Sequence, residues 1–169
     1  ANSKELLSSF NKLKQQMGTH KHQKQEIIVS ERLSDVDMIG LHNACDCFVL
    51  PSYGESFCRP AAEALVLGKT PIVTDNTGMI DFINNDNGFL IRSKKCPVIT
   101  QQKTLSDAFD IYNAYEHWYR PDIYHLIENM QKVYAMYKKD KQAYVKKQQL
   151  GIDSIDQFSY ENIGKKICD

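Results

Sequence analysis

The sequence predicts an α/β fold, a Rossmann-like doubly wound parallel sheet followed by a helical C-terminal tail. Three observations predict it. Short β-branched or aromatic runs recur about every twenty residues, a helical stretch with its own start and stop signals lies between successive runs, and the last part of the chain turns to helical periodicity without further strands. Strands so spaced with helices between them form right-handed βαβ units, hence a parallel sheet covered on both faces.

Leu6, Leu7, Phe10, Leu13 and Met17 recur at helical spacing among lysines and glutamines, which predicts an amphipathic helix over 3–17 closed by Gly18. Ile27, Ile28 and Val29 read as a short β-branched strand, and Asp35 as the cap of a short helix with Met38, Ile39 and Leu41 on its apolar side. A buried strand follows at 47–50. After the loop that begins Pro51-Ser52-Tyr53-Gly54, Pro60 stands where a first helical residue would, and the helix over 61–67 stops at Gly68. The strand at 71–75 runs into the loop Asn76-Thr77-Gly78 and a short helix through Ile80, Phe82 and Ile83; the next strand occupies 88–91. Residues 93–121 hold no clean periodicity until Leu105 and bring Tyr112, Tyr115, Trp118 and Tyr119 together, so an irregular aromatic-rich insertion on the α/β core is expected there. Ile123, Leu126, Ile127, Met130, Val133, Tyr134 and Tyr137 mark an amphipathic helix, 138–149 a basic helical stretch, and 159–167 a last helix starting at Ser159. With no linker, repeat or low-complexity tract, residues 1–169 are expected to form one domain.

A chain of 169 residues, 42% hydrophobic and 25% charged, can bury one sizeable core. Its 21 acidic residues balance its 21 basic ones, so no overall field recruits nucleic acid. Cys45, Cys47, Cys58, Cys96 and Cys168 are odd in number, lack paired CxxC spacing and lie mostly in or beside apolar runs; they read as reduced thiols of a cytoplasmic protein. His20 and His22 flank Lys21 in a polar stretch without further ligands at suitable spacing, so no metal is expected. No apolar run approaches a membrane span, and the N-terminus lacks the apolar core of a secretion signal. Lys138, Lys139, Lys141, Lys146 and Lys147 keep two readings: a face approaching anionic lipid, or a solvated helix face interrupted by Asp140.

Ligands of open parallel sheets lie outside the carboxyl ends of the strands. The loop 51–60, PSYGESFCRP, falls there and ends at a helix with Glu63 in its opening turns. Backbone N–H groups from Arg59 to Ala62 are expected to form an anion site suited to phosphate or pyrophosphate. Glu55 and Glu63 are eight positions apart, one in the loop and one in the helix, so both can face one crevice and accept from vicinal hydroxyls. Taken singly, Glu55 is also a solvated loop residue and Glu63 a favourable charge near a helix N-terminus. An anion cradle between two hydroxyl readers describes a site for a nucleotide joined to a sugar. Gly-rich phosphate motifs of the P-loop or dinucleotide type are absent, which argues against kinases and dehydrogenases.

Residues 44–91, ACDCFVLPSYGESFCRPAAEALVLGKTPIVTDNTGMIDFINNDNGFLI, resemble the core of glycosyltransferase family 4, retaining enzymes built from two Rossmann-like domains in the GT-B arrangement. Glu55 and Glu63 match the glutamates of its E-x7-E motif, and Ala62-Glu63-Ala64 with Gly68, Lys69 and Pro71 matches the stretch that follows. The resemblance implies the C-terminal, nucleotide-sugar-binding half of such an enzyme, truncated at its N-terminus and missing the N-terminal acceptor domain. It implies transfer of a hexose-like sugar from a UDP- or GDP-sugar, a substrate rather than a cofactor, to a glycan, lipid or protein acceptor without a metal. By the same resemblance Glu63 holds the ribose hydroxyls, while Glu55, in the catalytic position, and the backbone of Ser56, Phe57 and Cys58 address the transferred sugar. The resemblance also places Gly78 in a second glycine-bearing loop and the base near Ser30 to Leu33, while Arg59 reads either as a partial partner of the diphosphate or as a solvated arginine at a helix start.

The sequence also departs from that family. Its loop often reads Glu-Gly-Phe-Gly where this chain has Glu55-Ser56-Phe57-Cys58, which leaves two paths open at 56 or 58: the glycine-only conformation or a variant main-chain course. Asp81 stands where a glutamate is usual, and reads equally as an ordinary acidic residue on a short helix. The arginine and lysine that family members supply upstream are absent; they neutralise charge developing on the leaving diphosphate, so this chain alone is expected to bind a donor better than it reacts with it. The alternative reading is a non-catalytic Rossmann-like binding or scaffold module. The cluster of Tyr112, Tyr115, Trp118 and Tyr119 reads as a lid, an acceptor platform, an interface or plain packing.

Overall fold

Three short strands, β1 (Cys47–Leu50), β2 (Thr70–Thr74) and β3 (Phe89–Ile91), pair in parallel in the order β1-β2-β3. The computed structural model that shows them describes residues 3–18, 26–98 and 116–168. The chain divides into two units, Ala1–Met38 and Ile39–Asp169. In the second unit, Cys47 lies opposite Thr70 and Ile72 opposite Phe89, so the carboxyl ends of all three strands reach one edge of the sheet. Side chains alternate across it. Phe48, Val73 and Leu90 join Ala61, Leu65, Met79, Ile83 and Ile155 on one face; Cys47, Ile72, Phe89 and Ile91 join Leu126, Val133 and Tyr144 on the other. Helices therefore cover both faces, which is why the strands read as unbroken apolar runs. All five residues of β2 are buried. Burial between the layers pushes the Cys47 thiol up to about 12, the conduct of an inert core thiol.

Each helix begins or ends on a named local device. Helix α3 (Arg59–Val66) takes Pro60 in its first turn, where a missing N–H costs nothing. It closes on Gly68 at φ 67: the Gly68 N–H donates to Leu65 O at 2.9 Å and the Lys69 N–H to Ala64 O at 2.8 Å, the paired bonds of a Schellman cap. Asp122 caps α4 (Ile123–Lys139), accepting from the N–H groups of Tyr124 and His125 at 2.9 and 3.2 Å. Asp140 interrupts the basic stretch 138–149 expected to be helical and caps α5 (Lys141–Asp156) by accepting from the Ala143 N–H at 3.0 Å. The last helix, α6 (Tyr160–Cys168), starts behind Ser159 as expected, with the Ser159 Oγ 3.3 Å from the Asn162 N–H. Helix α5 crosses α3 at the buried Gly151, where a Cβ would come 2.6 Å from Leu65 Cδ2. Asn87 ties the turn before β3 to α5, donating from Nδ2 to Phe82 O and to Ser154 Oγ at 2.8 and 2.7 Å.

The first unit holds α1 (Ser3–Gln16), closed by Gly18 at φ 67, and an ion pair between Lys14 and Glu26 at 2.6 Å. Residues 27–29 hold no regular secondary structure and pair with no strand among the described residues, so the expected strand is not seen there. A β-branched run encodes extended backbone, but a ladder also needs a neighbour. Helix α2 (Asp35–Ala44) is capped by Ser34 rather than Asp35: Ser34 Oγ accepts from the Asp37 N–H at 3.2 Å, and the Ser34 hydroxyl and N–H donate back to the Asp37 carboxylate at 2.6 and 3.4 Å. That reciprocal exchange is the logic of a capping box.

The segment 93–121, expected to be irregular, carries a strand at each end. β4 (Ser93–Pro97) and β5 (His117–Pro121) form an antiparallel ribbon with Ser93 opposite Pro121 and Pro97 opposite His117. Their sequences, SKKCP and HWYRP, have no apolar alternation to betray them. Tyr112, Tyr115, Leu105, His20 and His22 lie outside the described residues. Among the described residues no helix is long and apolar enough to cross a membrane.

Candidate functional site

From the carboxyl ends of β1, β2 and β3 run the loop 51–58, the loop 75–76 with the 3-10 turn Thr77–Asp81, and the β4–β5 ribbon. The first two are locked together. The Gly78 N–H donates to Glu55 O at 3.2 Å, and the Glu55 N–H donates to Thr77 Oγ1 at 3.0 Å. Behind them the Thr74 hydroxyl donates to Ser52 O at 2.7 Å. A Cβ on residue 78 would sit 1.4 Å from Ser56 O, so only glycine admits this approach. Thr77 itself holds φ 65, a rare conformation for a β-branched residue. Asn76 secures it, Oδ1 accepting from the Thr77 N–H at 2.7 Å and the main-chain carbonyl accepting from the Thr77 hydroxyl at 2.6 Å. Backbone strain is thus stored where the two loops meet.

Beyond Glu55 the chain bares a run of donors. The N–H groups of Ser56, Phe57, Cys58 and Arg59 have no acceptor among the described residues. Of the donors expected at 59–62 Arg59 alone stays bare: Pro60 has no N–H, and those of Ala61 and Ala62 both donate to Cys58 O, at 3.0 and 3.2 Å. Cys58 takes φ 62 and ψ 69. Of the two paths left open by the sequence, residue 58 keeps the left-handed conformation that glycine would adopt, whereas Ser56 stays out of that region. The Cys58 thiol is buried beside Ala61, Ala62 and Met79, and burial pushes its pKa up. The Phe57 ring leaves the loop to pack against Phe82 and Phe158, centroids 5.0 and 5.5 Å away, which leaves its backbone for a ligand.

Arg59 and Glu63 lie one turn apart on α3 and pair at 3.0 Å, their side chains 83% and 41% exposed. An exposed i,i+4 pair contributes only about 0.3–0.5 kcal/mol and gives way readily to a better partner. Glu55 lines a cleft of about 570 Å3 together with Tyr53, Ser56, Glu116, His117 and Trp118. Its far wall is β5, held by the Tyr119 N–H donating to Tyr53 O at 2.9 Å and by the Tyr53 and Trp118 rings, 5.1 Å apart. Glu63 is not among the residues lining that cleft.

Of the residues singled out from sequence, Glu55, Ser56 and Gly78 meet in the locked loops, and Phe57, Cys58 and Arg59 carry on from them to α3. Ser30 and Leu33 belong to the first unit, in the irregular segment before α2. Asp81 is exposed at the end of the 3-10 turn. Among the described residues no group of three or more His, Cys, Asp or Glu could hold a metal. Sequence reasoning missed Tyr53 and Thr77; Trp118 was visible only as one member of an aromatic cluster. A further cavity of about 380 Å3, against β1 and α4, shares no residue with these loops.

Fold and loops together define a Rossmann-like α/β domain whose candidate site lies at the carboxyl edge of a parallel sheet. The chain belongs to the family described as glycosyl transferases group 1, whose profile matches residues 6–110. It is 34% identical over 70 residues to the N,N'-diacetylbacillosaminyl-diphospho-undecaprenol α-1,3-N-acetylgalactosaminyltransferase of Campylobacter jejuni, a match covering 41% of this chain and 19% of that protein. Among solved structures it is similar to the C-terminal domain of a glycosyl transferase group 1 family protein from Francisella tularensis, with a TM-score of 0.54 at 19% identity, over 92% of this chain and 63% of that one. The chain thus has the fold of the C-terminal domain of a GT-B glycosyltransferase and spans about a fifth of the length of the curated relative.

Proposed function

We propose that this chain is the donor-binding half of a retaining glycosyltransferase of family 4 that transfers a hexose-like sugar from a nucleoside diphosphate, UDP or GDP, without a metal. The observation that carries the reading is the lock between Gly78 and Glu55, which holds a carboxylate-lined cleft next to four successive bare amides. Amides at a helix start suit a diphosphate, so Ser56 to Arg59 take the phosphates and Arg59 turns from Glu63 to assist them. Glu63, so released, accepts from the ribose hydroxyls. Glu55 stands at the reacting sugar, accepting from its hydroxyls. The acceptor, a glycan, lipid or protein, is bound by a separate N-terminal domain. The relative's name, with its diphospho-undecaprenol substrate, favours a lipid-borne acceptor and a place beside a membrane surface. Cationic side chains on the α4–α5 corner, Lys138, Lys139 and Lys141, would favour anionic lipid there.

Thermal unfolding with uridine, guanosine and adenosine diphosphates tests this. One of them should stabilise the chain, by about 2.7 kcal/mol at a hundredfold excess over its dissociation constant. Glu63→Ala should abolish the effect. Stabilisation by none of them would overturn the proposal and favour a non-catalytic scaffold.

A further inference from the structure

The cleft beside Glu55 is chemically unlike the amide run next to it. Among the described residues its polar lining includes Glu55, Ser56, Glu116 and His117 but no lysine or arginine, a set suited to hydroxyls rather than to a phosphate. Beside Val98 its apolar lining is two aromatic rings: Tyr53, 41% exposed, and the half-buried Trp118, set at 57° to each other. Carboxylates accept from vicinal hydroxyls, and an aromatic face takes the C–H side of a saturated ring. Both needs are met by one ligand class, an uncharged pyranose, and a cleft of about 570 Å3 lies within the usual range of small-molecule sites, about 300–1,000 Å3.

We infer that the β4–β5 ribbon forms the sugar wall of the site, with Trp118 as the platform for a hexopyranose ring and Glu116, beside Glu55, accepting from its hydroxyls. The ribbon is positioned for this by its main chain, through the Tyr119 N–H bond to Tyr53 O, and not by its own length alone. Discrimination between hexoses then belongs to residues 116–118, and diphosphate binding to 56–59. The inference rests on the donor-binding reading only for the source of the ring: the sugar of the nucleotide donor or a sugar of the acceptor.

Trp118 is the only tryptophan in the chain, so its emission reports this cleft alone. The experiment titrates the 169-residue chain with nucleoside diphosphate, with the matching UDP- or GDP-hexose, and separately with free methyl hexopyranosides. A change in Trp118 emission beyond that caused by the diphosphate supports a donor sugar; a change with the free glycoside supports an acceptor sugar. By calorimetry, Trp118→Ala should weaken the responding sugar ligand about tenfold while leaving the diphosphate unaffected, and Trp118→Phe, which keeps an aromatic face, should stay within about threefold of the parent. Silence of Trp118 toward both kinds of sugar overturns the inference. Nucleotide binding itself is read from the unfolding panel above, so failure there is distinguishable from failure here.

Discussion

Cys58 occupies a backbone conformation that costs an L side chain about 1–2 kcal/mol and glycine nothing. Comparing Cys58→Gly with Cys58→Ala isolates that cost, because both remove the buried thiol; the glycine variant should be the more stable by about 1 kcal/mol in urea unfolding, the reverse of the usual order. Gly78→Ala forces a methyl group onto Ser56 O and should destabilise the chain by about 2 kcal/mol while abolishing nucleotide binding. Asp122 gives a pH test. The His125 N–H, then the Tyr124 N–H and Arg92, hold its carboxyl below the usual value of 3.8. With the folded value depressed, its stabilisation is complete above the ordinary carboxylate range and is lost as pH falls through the folded value. Urea midpoints followed from about pH 5 to about pH 2 should therefore fall less steeply in Asp122→Asn, which keeps a capping side chain but cannot titrate. At this scale Glu55, Gly78 and the pyrrolidine at 60 were legible as types. The left-handed turn at Cys58 was not, since cysteine rarely adopts that φ angle.

Elements were legible where one segment carries its own signal. The runs at 47–50, 70–74 and 89–91 are strands within a residue of their expected bounds, because a sheet buried on both faces leaves a continuous apolar trace. Pairing is another matter. Residues 27–29 carry the same local signal and remain unpaired among the described residues, while β4 and β5 carry none and pair, since a ladder depends on backbone far away in sequence. Asp140 shows a third case: a basic helical pattern passes straight through it, yet its side chain accepts from the Ala143 N–H and starts a new helix. Asp140→Ala should cost about 1 kcal/mol in unfolding experiments, and Asp140→Asn much less. Equal losses in the two variants would show that the cap is not what divides α4 from α5.

For the whole molecule, the period of strands and helices already implied the covered parallel sheet, and the spacing of Glu55 and Glu63 pointed to its carboxyl edge. What could not be read was the shape of the cleft, because one of its walls is the ribbon and the other a loop pinned by Thr77, whose strained φ no pattern announces. A family resemblance points to a candidate site; contacts between loops decide which atoms are bare within it. The central claim is that the loops after β1 and β2 act as one cradle for a nucleoside diphosphate. Backbone amide shifts recorded by NMR during titration with the stabilising diphosphate test it most directly. The largest changes should fall on Ser56, Phe57, Cys58, Arg59, Thr77 and Gly78 together, and should vanish in Gly78→Ala. Saturable binding that leaves those amides unmoved and shifts others instead would contradict it.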